Sequence, residues 1–150
     1  MRTLLVMITA GLALAACSLP TLDKAADAKA RALYEQVRTG ADLGANPDLS
    51  PDLRKPEVLA QLAAIKASLP EGASTAAVTR SWSINAGTGG TRALLVHAYS
   101  YPSQTVLAQT VLAKAKGGGW QIIGFHVTFE GLANDAPPPP VTVTKPSQVT

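Results

Sequence analysis

Apolar residues in the chain after residue 22 first recur every three or four positions, which is the period of an α-helix. One stripe runs from Asp23 to about Gly40, where aspartate can cap the start of a helix and glycine its end. A second begins at Pro56 and stops at Leu69-Pro70, because a residue that precedes proline disfavours the helical conformation. The pattern therefore predicts two helices. Their apolar positions are Ala26, Ala30, Leu33, Tyr34, Val37 and Ala41 in the first helix and Val58, Leu59, Leu62, Ile65 and Leu69 in the second.

From Ala77 the period shortens to two, which is typical of strands with one buried face. The first strand places four side chains on one predicted face, namely Val78, Arg80, Trp82 and Ile84. Three more strands are predicted over Thr91–Tyr101, Thr105–Lys116 and Trp120–Glu130, with short turns rich in glycine or proline between them. Such turns join neighbouring antiparallel strands. The predicted class is α+β, with two N-terminal helices packed on a four-stranded antiparallel sheet.

The last predicted strand has two different faces. A continuous apolar row, assigned to the helix-covered core, consists of Ile123, Phe125, Val127 and Phe129. The opposite face is mixed and consists of Trp120, Ile122, Gly124, His126 and Thr128. Such a face can be exposed, hold a partner or line part of a cavity. Because Gly124 has no side chain to pack, it indicates a bulge or a bend in the sheet.

The amino terminus has the three parts of a secretory signal peptide: a basic start at Arg2, an uncharged apolar segment from Leu4, and small residues before Cys17. The apolar segment is shorter than the roughly 20 residues that span a bilayer. The run Leu14-Ala15-Ala16-Cys17 resembles the lipobox of bacterial lipoproteins. That resemblance implies cleavage before Cys17, acylation of its thiol and new amino terminus, and attachment to the membrane. Ser18 resembles the residue found in the outer-membrane class, which faces the periplasm.

The chain is therefore predicted to comprise a signal peptide (1–16), a lipidated tether (17–22), one α+β domain (23–130) and a disordered proline-rich tail (131–150). The tail contains Pro137 to Pro140, which favour an extended polyproline conformation outside the fold. The single cysteine excludes an intramolecular disulfide and a cysteine metal cluster. Net charge is +3, but the basic residues alternate with acidic ones, so no nucleic-acid partner is expected.

The order of two helices and long strands, together with the run Gly118-Gly119-Trp120-Gln121-Ile122-Ile123-Gly124-Phe125-His126-Val127, resembles the cone-shaped, cystatin-like fold of nuclear transport factor 2 and its relatives. That resemblance covers roughly residues 23–130. It implies a curved sheet that wraps a pocket against the helices. The same fold hosts isomerases, dehydratases, binding modules and inert assembly domains, so it does not specify a reaction.

Candidate chemistry is sparse. An isomerase of this fold would need a carboxylate base and hydrogen-bond donors in an apolar pocket, and no aspartate lies in a predicted strand. His97 and His126 can share a face if the strand register permits, but no third metal ligand accompanies them. Packing is the preferred role for both histidines. Trp82 and Trp120 are interpreted as packing residues that would contact an apolar ligand if they flank an open cavity.

These patterns favour a non-enzymatic, lipid-anchored envelope protein that binds a protein partner or a small apolar ligand near the membrane, without a cofactor or metal. Its candidate pocket or partner face consists of Trp82, His97, Tyr99, Trp120 and His126. The alternative is an isomerase-like or dehydratase-like pocket enzyme that uses a histidine with a tyrosine such as Tyr34 or Tyr99. A third interpretation is a structural homodimer formed through the outer face of the sheet.

Overall fold

The computed structural model describes residues 21–131 and the backbone of residues 141–143. Its helices are α1 (Lys24–Thr39) and α2 (Pro56–Ser68), and its strands are β1 (Ala76–Gly87), β2 (Gly90–Ser100), β3 (Thr105–Lys114), β4 (Trp120–Glu130) and β5 (Val141–Val143). All strand pairs are antiparallel and follow the order β1-β2-β3-β4-β5 in one curved sheet. The predicted α+β class and antiparallel meander are confirmed. The predicted signal peptide and Cys17 lie outside the described residues.

Helix α1 begins and ends where local chemistry predicts. The carboxylate of Asp23 accepts hydrogen bonds from the backbone N–H groups of Ala25 and Ala26, which have no partner within the helix. Gly40 adopts the left-handed conformation at φ 75° and donates its N–H to carbonyls of the last turn. A residue with a Cβ atom is sterically disfavoured in this conformation. Glycine therefore ends the helix at this position.

Both helices precede the strands along the chain, but they do not pack on the sheet in the same way. Helix α1 lies against β2, β3 and β4, whereas α2 begins at Pro56 and lies against α1 and beside β5. The segment between the helices belongs to the core rather than to a loose connector. The backbone of Leu49 forms a parallel bridge with Ile122, and Leu43, Leu49 and Leu53 are buried. Burial of these leucines holds the segment between α1 and α2 against the sheet.

A bulge in β1 changes which side chains face the helices. Thr79 pairs with His97 but Ser81 pairs with Val96, so Arg80 is an extra residue between the two pairs. An extra residue reverses the in-and-out alternation along a strand. The predicted single face of Val78, Arg80, Trp82 and Ile84 is therefore wrong. Trp82 and Ile84 pack against the core, while Val78 is 56% exposed on the opposite face.

A second bulge, in β4, corrects the prediction for that strand. Val111 pairs with Gly124 but Leu112 pairs with Ile122, so Ile123 is the extra residue. As a result, Trp120 and Ile122 are buried together with Phe125 and Val127. The assignment of Trp120 and Ile122 to the mixed face, and of Ile123 to the core, is wrong. The bulge next to Gly124, which its missing side chain indicates, is confirmed.

Part of the tail joins the sheet. Residues 141–143 pair with residues 125–127 of β4, so the prediction that the entire tail lies outside the fold is wrong for these three residues. Valine and threonine favour extended pairing, and the edge of β4 offers unpaired backbone groups. The predicted polyproline segment, Pro137 to Pro140, lies outside the described residues.

Candidate functional site

Four polar side chains meet where α1 crosses the first two strands, and we call them the Asp27 network. Asp27 bonds to the Nε2 atom of His97 through Oδ1 (2.7 Å) and to Nε of Arg31 through Oδ2 (2.9 Å). The Thr79 hydroxyl donates to Asp27 Oδ1 (3.0 Å) and accepts from Nη2 of Arg31 (2.8 Å). Helix α1 supplies Asp27 and Arg31 one turn apart on the same face, and the β1 bulge turns Thr79 towards them.

His97 is the innermost member of the network, with no exposed surface. Its Nδ1 atom has no hydrogen-bond partner within the described part of the chain. A neutral ring that donates from Nε2 to Asp27 leaves Nδ1 as an unprotonated acceptor, whereas protonation would bury an unpaired N–H there. Burial lowers the pKa of His97, although the neighbouring Asp27 acts in the opposite direction. The ring is therefore neutral at pH 7.

Asp27 is a partly exposed carboxylate with three hydrogen-bonded neighbours. Burial by itself would raise its pKa, but the hydrogen bonds from His97, Arg31 and Thr79 outweigh burial and lower the pKa below its ordinary value. Asp27 is therefore ionised at neutral pH and orients the His97 ring. A carboxylate–histidine pair is also part of a nucleophilic triad, but here the second ring nitrogen of His97 faces the core.

Three tyrosines extend the polar part of the core along α1, and we call them the tyrosine cluster. The rings of Tyr34 and Tyr99 stack with centroids 3.6 Å apart and an interplanar angle of 11°. The hydroxyls of Tyr34 and Tyr101 share a hydrogen bond of 2.8 Å. Burial raises the pKa of both Tyr34 and Tyr99, so both phenols stay protonated and neither acts as a base at neutral pH.

The structure places the five predicted site residues as follows. Trp82, His97, Tyr99 and Trp120 lie on the core face of the sheet, whereas His126 lies on the opposite face. The expectation that the two histidines can share a face is wrong, because His97 pairs with Ala108 while His126 pairs with the neighbouring Gln109. Only His97 and Tyr99 come close together, with ring centroids 6.2 Å apart.

Asp27 is the polar partner that sequence reasoning missed, because acidic residues of the first helix were attributed to its solvated face. One signal was present. Asp27 lies three residues before Ala30 and seven before Tyr34, both on the apolar stripe. Positions separated by three, four or seven residues share a helix face, so this carboxylate borders the buried side. Its partner, 70 residues away, depends on the tertiary fold.

The sheet face opposite α1, which we call the outer face, is apolar across its middle. Its apolar side chains are Val78, Leu94, Val96, Leu107 and Val111, with Gln109, His126 and Thr128 between or beside them. Leu94, Val96, Leu107 and Val111 are partly exposed. No helix within residues 21–131 packs on this side, because the buried residues of α1 contact the other one. Contiguous apolar surface of this kind marks interaction sites in soluble domains.

A separate groove of about 280 Å³ lies between the end of α1, the following segment and α2. Its apolar lining includes Val37, Leu43, Leu59 and Leu62, and Lys66 is its one lysine. Ligand pockets usually measure about 300–1,000 Å³, so this groove accommodates only a small apolar molecule.

Within the described residues, no group of three or more histidine, cysteine or acidic side chains is arranged to hold a metal ion. None of the helices described is long and apolar enough to cross a membrane. Comparison of the chain with protein-family models, curated proteins and solved structures gives no match.

Acidification is expected to destabilise the domain through His97. The pKa of His97 is lower in the folded chain than in the unfolded chain. The unfolded chain therefore binds more protons than the folded chain below about pH 6.5. The contribution of the neutral His97 ring to the free energy of unfolding is complete above that pH. It decreases as the pH falls towards the pKa of His97 in the folded chain. The lowered pKa of Asp27 adds a further loss only below about pH 4. Urea unfolding between pH 5 and 7.5 measures the effect, and His97→Gln should flatten the curve.

The matched control for this experiment is His126→Gln on the outer face, because it makes the same replacement and leaves the Asp27 network intact. The glutamine at position 97 retains an amide donor for Asp27, so the variant tests titration rather than loss of the hydrogen bond. A free energy of unfolding that stays constant between pH 5 and 7 in the unmodified chain would contradict the role assigned to His97.

Proposed function

We propose that the chain is a lipid-anchored envelope protein of non-enzymatic type, whose domain binds a protein partner through the outer face. The observation that carries this proposal is the apolar middle of that face, formed by Leu94, Val96, Leu107 and Val111 on two central strands. An antiparallel sheet with one face on its core usually exposes polar residues on the other. Apolar residues in their place favour contact with another surface.

The anchor belongs to the same proposal. The lipobox-like run that ends at Cys17 and the apolar segment before it support acylation of this residue and removal of residues 1–16. Two or three acyl chains hold a protein firmly on a bilayer, whereas one chain holds it only weakly. Ser18 supports attachment to the outer membrane, with the domain in the periplasm. The bulged sheet with α1 on one face supports the cone-like fold as the finer description of the domain.

The Asp27 network favours a structural role over catalysis. His97 is fully buried and its Nε2 atom is already bonded to Asp27, so a substrate has no access to the ring in this conformation. The alternative, a pocket enzyme that uses His97 with Tyr34 or Tyr99, requires the ring to become accessible. Acylation of histidines by diethyl pyrocarbonate in the native protein discriminates the two: the enzyme predicts modification at His97, and the structural role predicts protection until unfolding.

The small apolar ligand is the second candidate for binding. The groove between α1 and α2 favours it, because Val37, Leu43 and Leu62 present apolar surface there. A Leu62→Trp variant would fill the groove. If this groove binds an apolar fluorescent probe such as 1-anilinonaphthalene-8-sulfonate, the variant should lose that fluorescence, while an unchanged signal would remove the groove from consideration.

Site-specific photo-crosslinking in intact cells tests the partner proposal. A benzoylphenylalanine at Leu107, on the outer face, should yield a discrete adduct, and the same label at the exposed Ala64 of α2 should not. The substitution Val96→Asp should abolish the Leu107 adduct, because a charge desolvated at an apolar contact costs several kcal/mol. Circular dichroism checks that the variant is folded.

Three outcomes are informative. An adduct larger than the chain by the mass of another protein, sensitive to Val96→Asp, supports the proposal. An adduct of twice the mass of the chain supports the homodimer instead. Equal adducts from Leu107 and Ala64, or none from Leu107, contradict a role for the outer face.

A further inference from the structure

One end of the domain, which we call the tether end, brings the start of α1 together with the turns that follow β1 and β3. The Nζ atom of Lys114, at the end of β3, lies 5.1 Å from the centre of the Trp120 ring. The indole of Trp120 beside Asp23, with Lys114 nearby, lowers the pKa of that carboxyl group. In the sheet, Arg92 pairs with Ala113 next to Lys114. The tether therefore joins the domain at the end of the sheet that carries these two turns.

The tether end is basic. Its four cationic residues, all exposed, are Lys24, Arg92, Lys114 and Lys116. No acidic residue occurs between Glu71 and Glu130, so these strands and turns add no negative charge to this end. Two carboxylates lie near this end: Asp23 is the N-cap of α1, and Asp48, whose backbone carbonyl accepts from Ile122, is paired with Lys29. Among the salt bridges within the described residues, none involves these four cations.

At the opposite end of the domain, charged side chains form ion pairs with each other. This end carries Glu35, which pairs with Arg38 (2.6 Å), and Glu130, which pairs with Arg80 (2.5 Å). Arg38 also donates to the carbonyl of Gly72 (3.0 Å), next to Glu71. Charges there are balanced within the domain, whereas those of the tether end are not. The domain thus presents a basic surface on the side where the chain emerges towards Cys17.

The length of the tether keeps this surface near the membrane. Six peptide steps separate Cys17 from Asp23, and an extended chain spans at most about 3.6 Å per residue, or roughly 20 Å in total. Cationic side chains attract anionic lipids over distances up to the Debye length, which is about 8 Å at physiological salt. A tether of this length lets the basic end reach that layer without extending fully.

We propose that the tether end is a second membrane contact, in which Lys24, Arg92, Lys114 and Lys116 bind the phosphates of an anionic lipid surface. This inference rests on the anchor at Cys17. It implies a fixed orientation: α1 points away from the bilayer, and the outer face stands along the membrane normal, accessible to a partner. An acyl anchor together with a basic patch gives the two signals that stable attachment requires.

The experiment uses the single cysteine of the chain. The mature form, residues 17–150, is coupled through the Cys17 thiol to maleimide-bearing lipids in vesicles of phosphatidylcholine, with or without 30% phosphatidylglycerol (about one lipid in three, enough for a negative surface). Lysines are then acetylated with a water-soluble reagent, and mass spectrometry gives the rate at each site. Chemical coupling replaces natural acylation, so this result does not depend on processing in the cell.

On phosphatidylglycerol vesicles, acetylation of Lys24, Lys114 and Lys116 should slow by about five-fold relative to phosphatidylcholine, the factor that corresponds to roughly 1 kcal/mol per cation. Lys66, which lies by Gly40 at the opposite end of α1, serves as the internal reference and should not change. About 0.5 M salt should remove the protection, because it shortens the Debye length.

A double variant, Arg92→Gln with Lys116→Gln, provides the matched test. It leaves the helices and the core unchanged and should reduce the protection of Lys24 and Lys114 to about two-fold, because about half of the charge is lost. Equal acetylation rates on the two vesicle types, or equal protection of Lys66, would overturn the inference. Failure of acylation at Cys17 in cells would instead overturn the anchor and leave this measurement intact.

Discussion

Replacing Cys17 with serine is expected to abolish labelling of the protein by radioactive or alkyne-bearing palmitate and to leave an uncleaved precursor. Both effects would have one cause, because in lipoproteins the acyl chain is attached to the cysteine thiol and the signal peptide is removed only after that step. The unmodified chain should be recovered from detergent-extracted membranes without residues 1–16. The variant should be recovered as a form that retains them. Gel mobility and the amino-terminal sequence measure the outcome.

The adjacent substitution Ser18→Ala is the matched control. It alters the next residue without touching the lipobox-like run, so palmitate labelling and cleavage should both persist. If the Cys17→Ser variant is cleaved normally, the anchor proposal is wrong, and the chain is processed as an ordinary secreted protein. The membrane orientation inferred from the basic tether end would then have no natural tether to act with.

Replacing Tyr34 with alanine is expected to lower the free energy of unfolding by about 3–5 kcal/mol, the usual cost of removing a large buried aromatic side chain. Tyr34 has no exposed surface, and its ring stacks on Tyr99 at 3.6 Å. Truncation therefore leaves a cavity between α1 and β2, and it removes the aromatic contact as well. Urea unfolding followed by circular dichroism measures the loss.

Tyr34→Phe is the control that separates the ring from its hydroxyl. It keeps the stacking on Tyr99 and removes only the hydrogen bond with Tyr101, so the expected loss is about 1 kcal/mol. A comparable loss from both variants would mean that the hydroxyl pair, rather than ring packing, dominates. A loss under 1 kcal/mol for Tyr34→Ala would contradict the core position of α1.

Much of the secondary structure can be predicted from the sequence because its causes are local. The N-cap at Asp23, the left-handed Gly40 and the proline that starts α2 each act within a few residues. The same holds for the glycine turns that join antiparallel strands. The acyl-anchor prediction is also local, since it depends on Cys17 and its preceding residues; it stays a prediction until Cys17→Ser is measured.

The bulges show where local reasoning stops. A pattern with a period of two predicts one face as long as no residue is inserted, and an inserted residue is recognised only from the partner strand. Arg80 and Ile123 are such residues. Each reverses the alternation, so Thr79, Trp120 and Ile122 face the core although the sequence pattern placed them on the other side. Gly124 indicated the bulge in β4, and no residue was taken to indicate the bulge in β1.

The sequence by itself determined the two helices, the four long strands, their antiparallel order and the fold class, because spacing, capping and turn chemistry are properties of neighbouring residues. Only the tertiary structure decided that Asp27 binds His97, that the two histidines lie on opposite faces, and that the apolar side chains of β2 and β3 form an uncovered outer face within the described domain. These features join residues far apart in the chain. Their contacts depend on strand register and helix placement, which the whole core sets together.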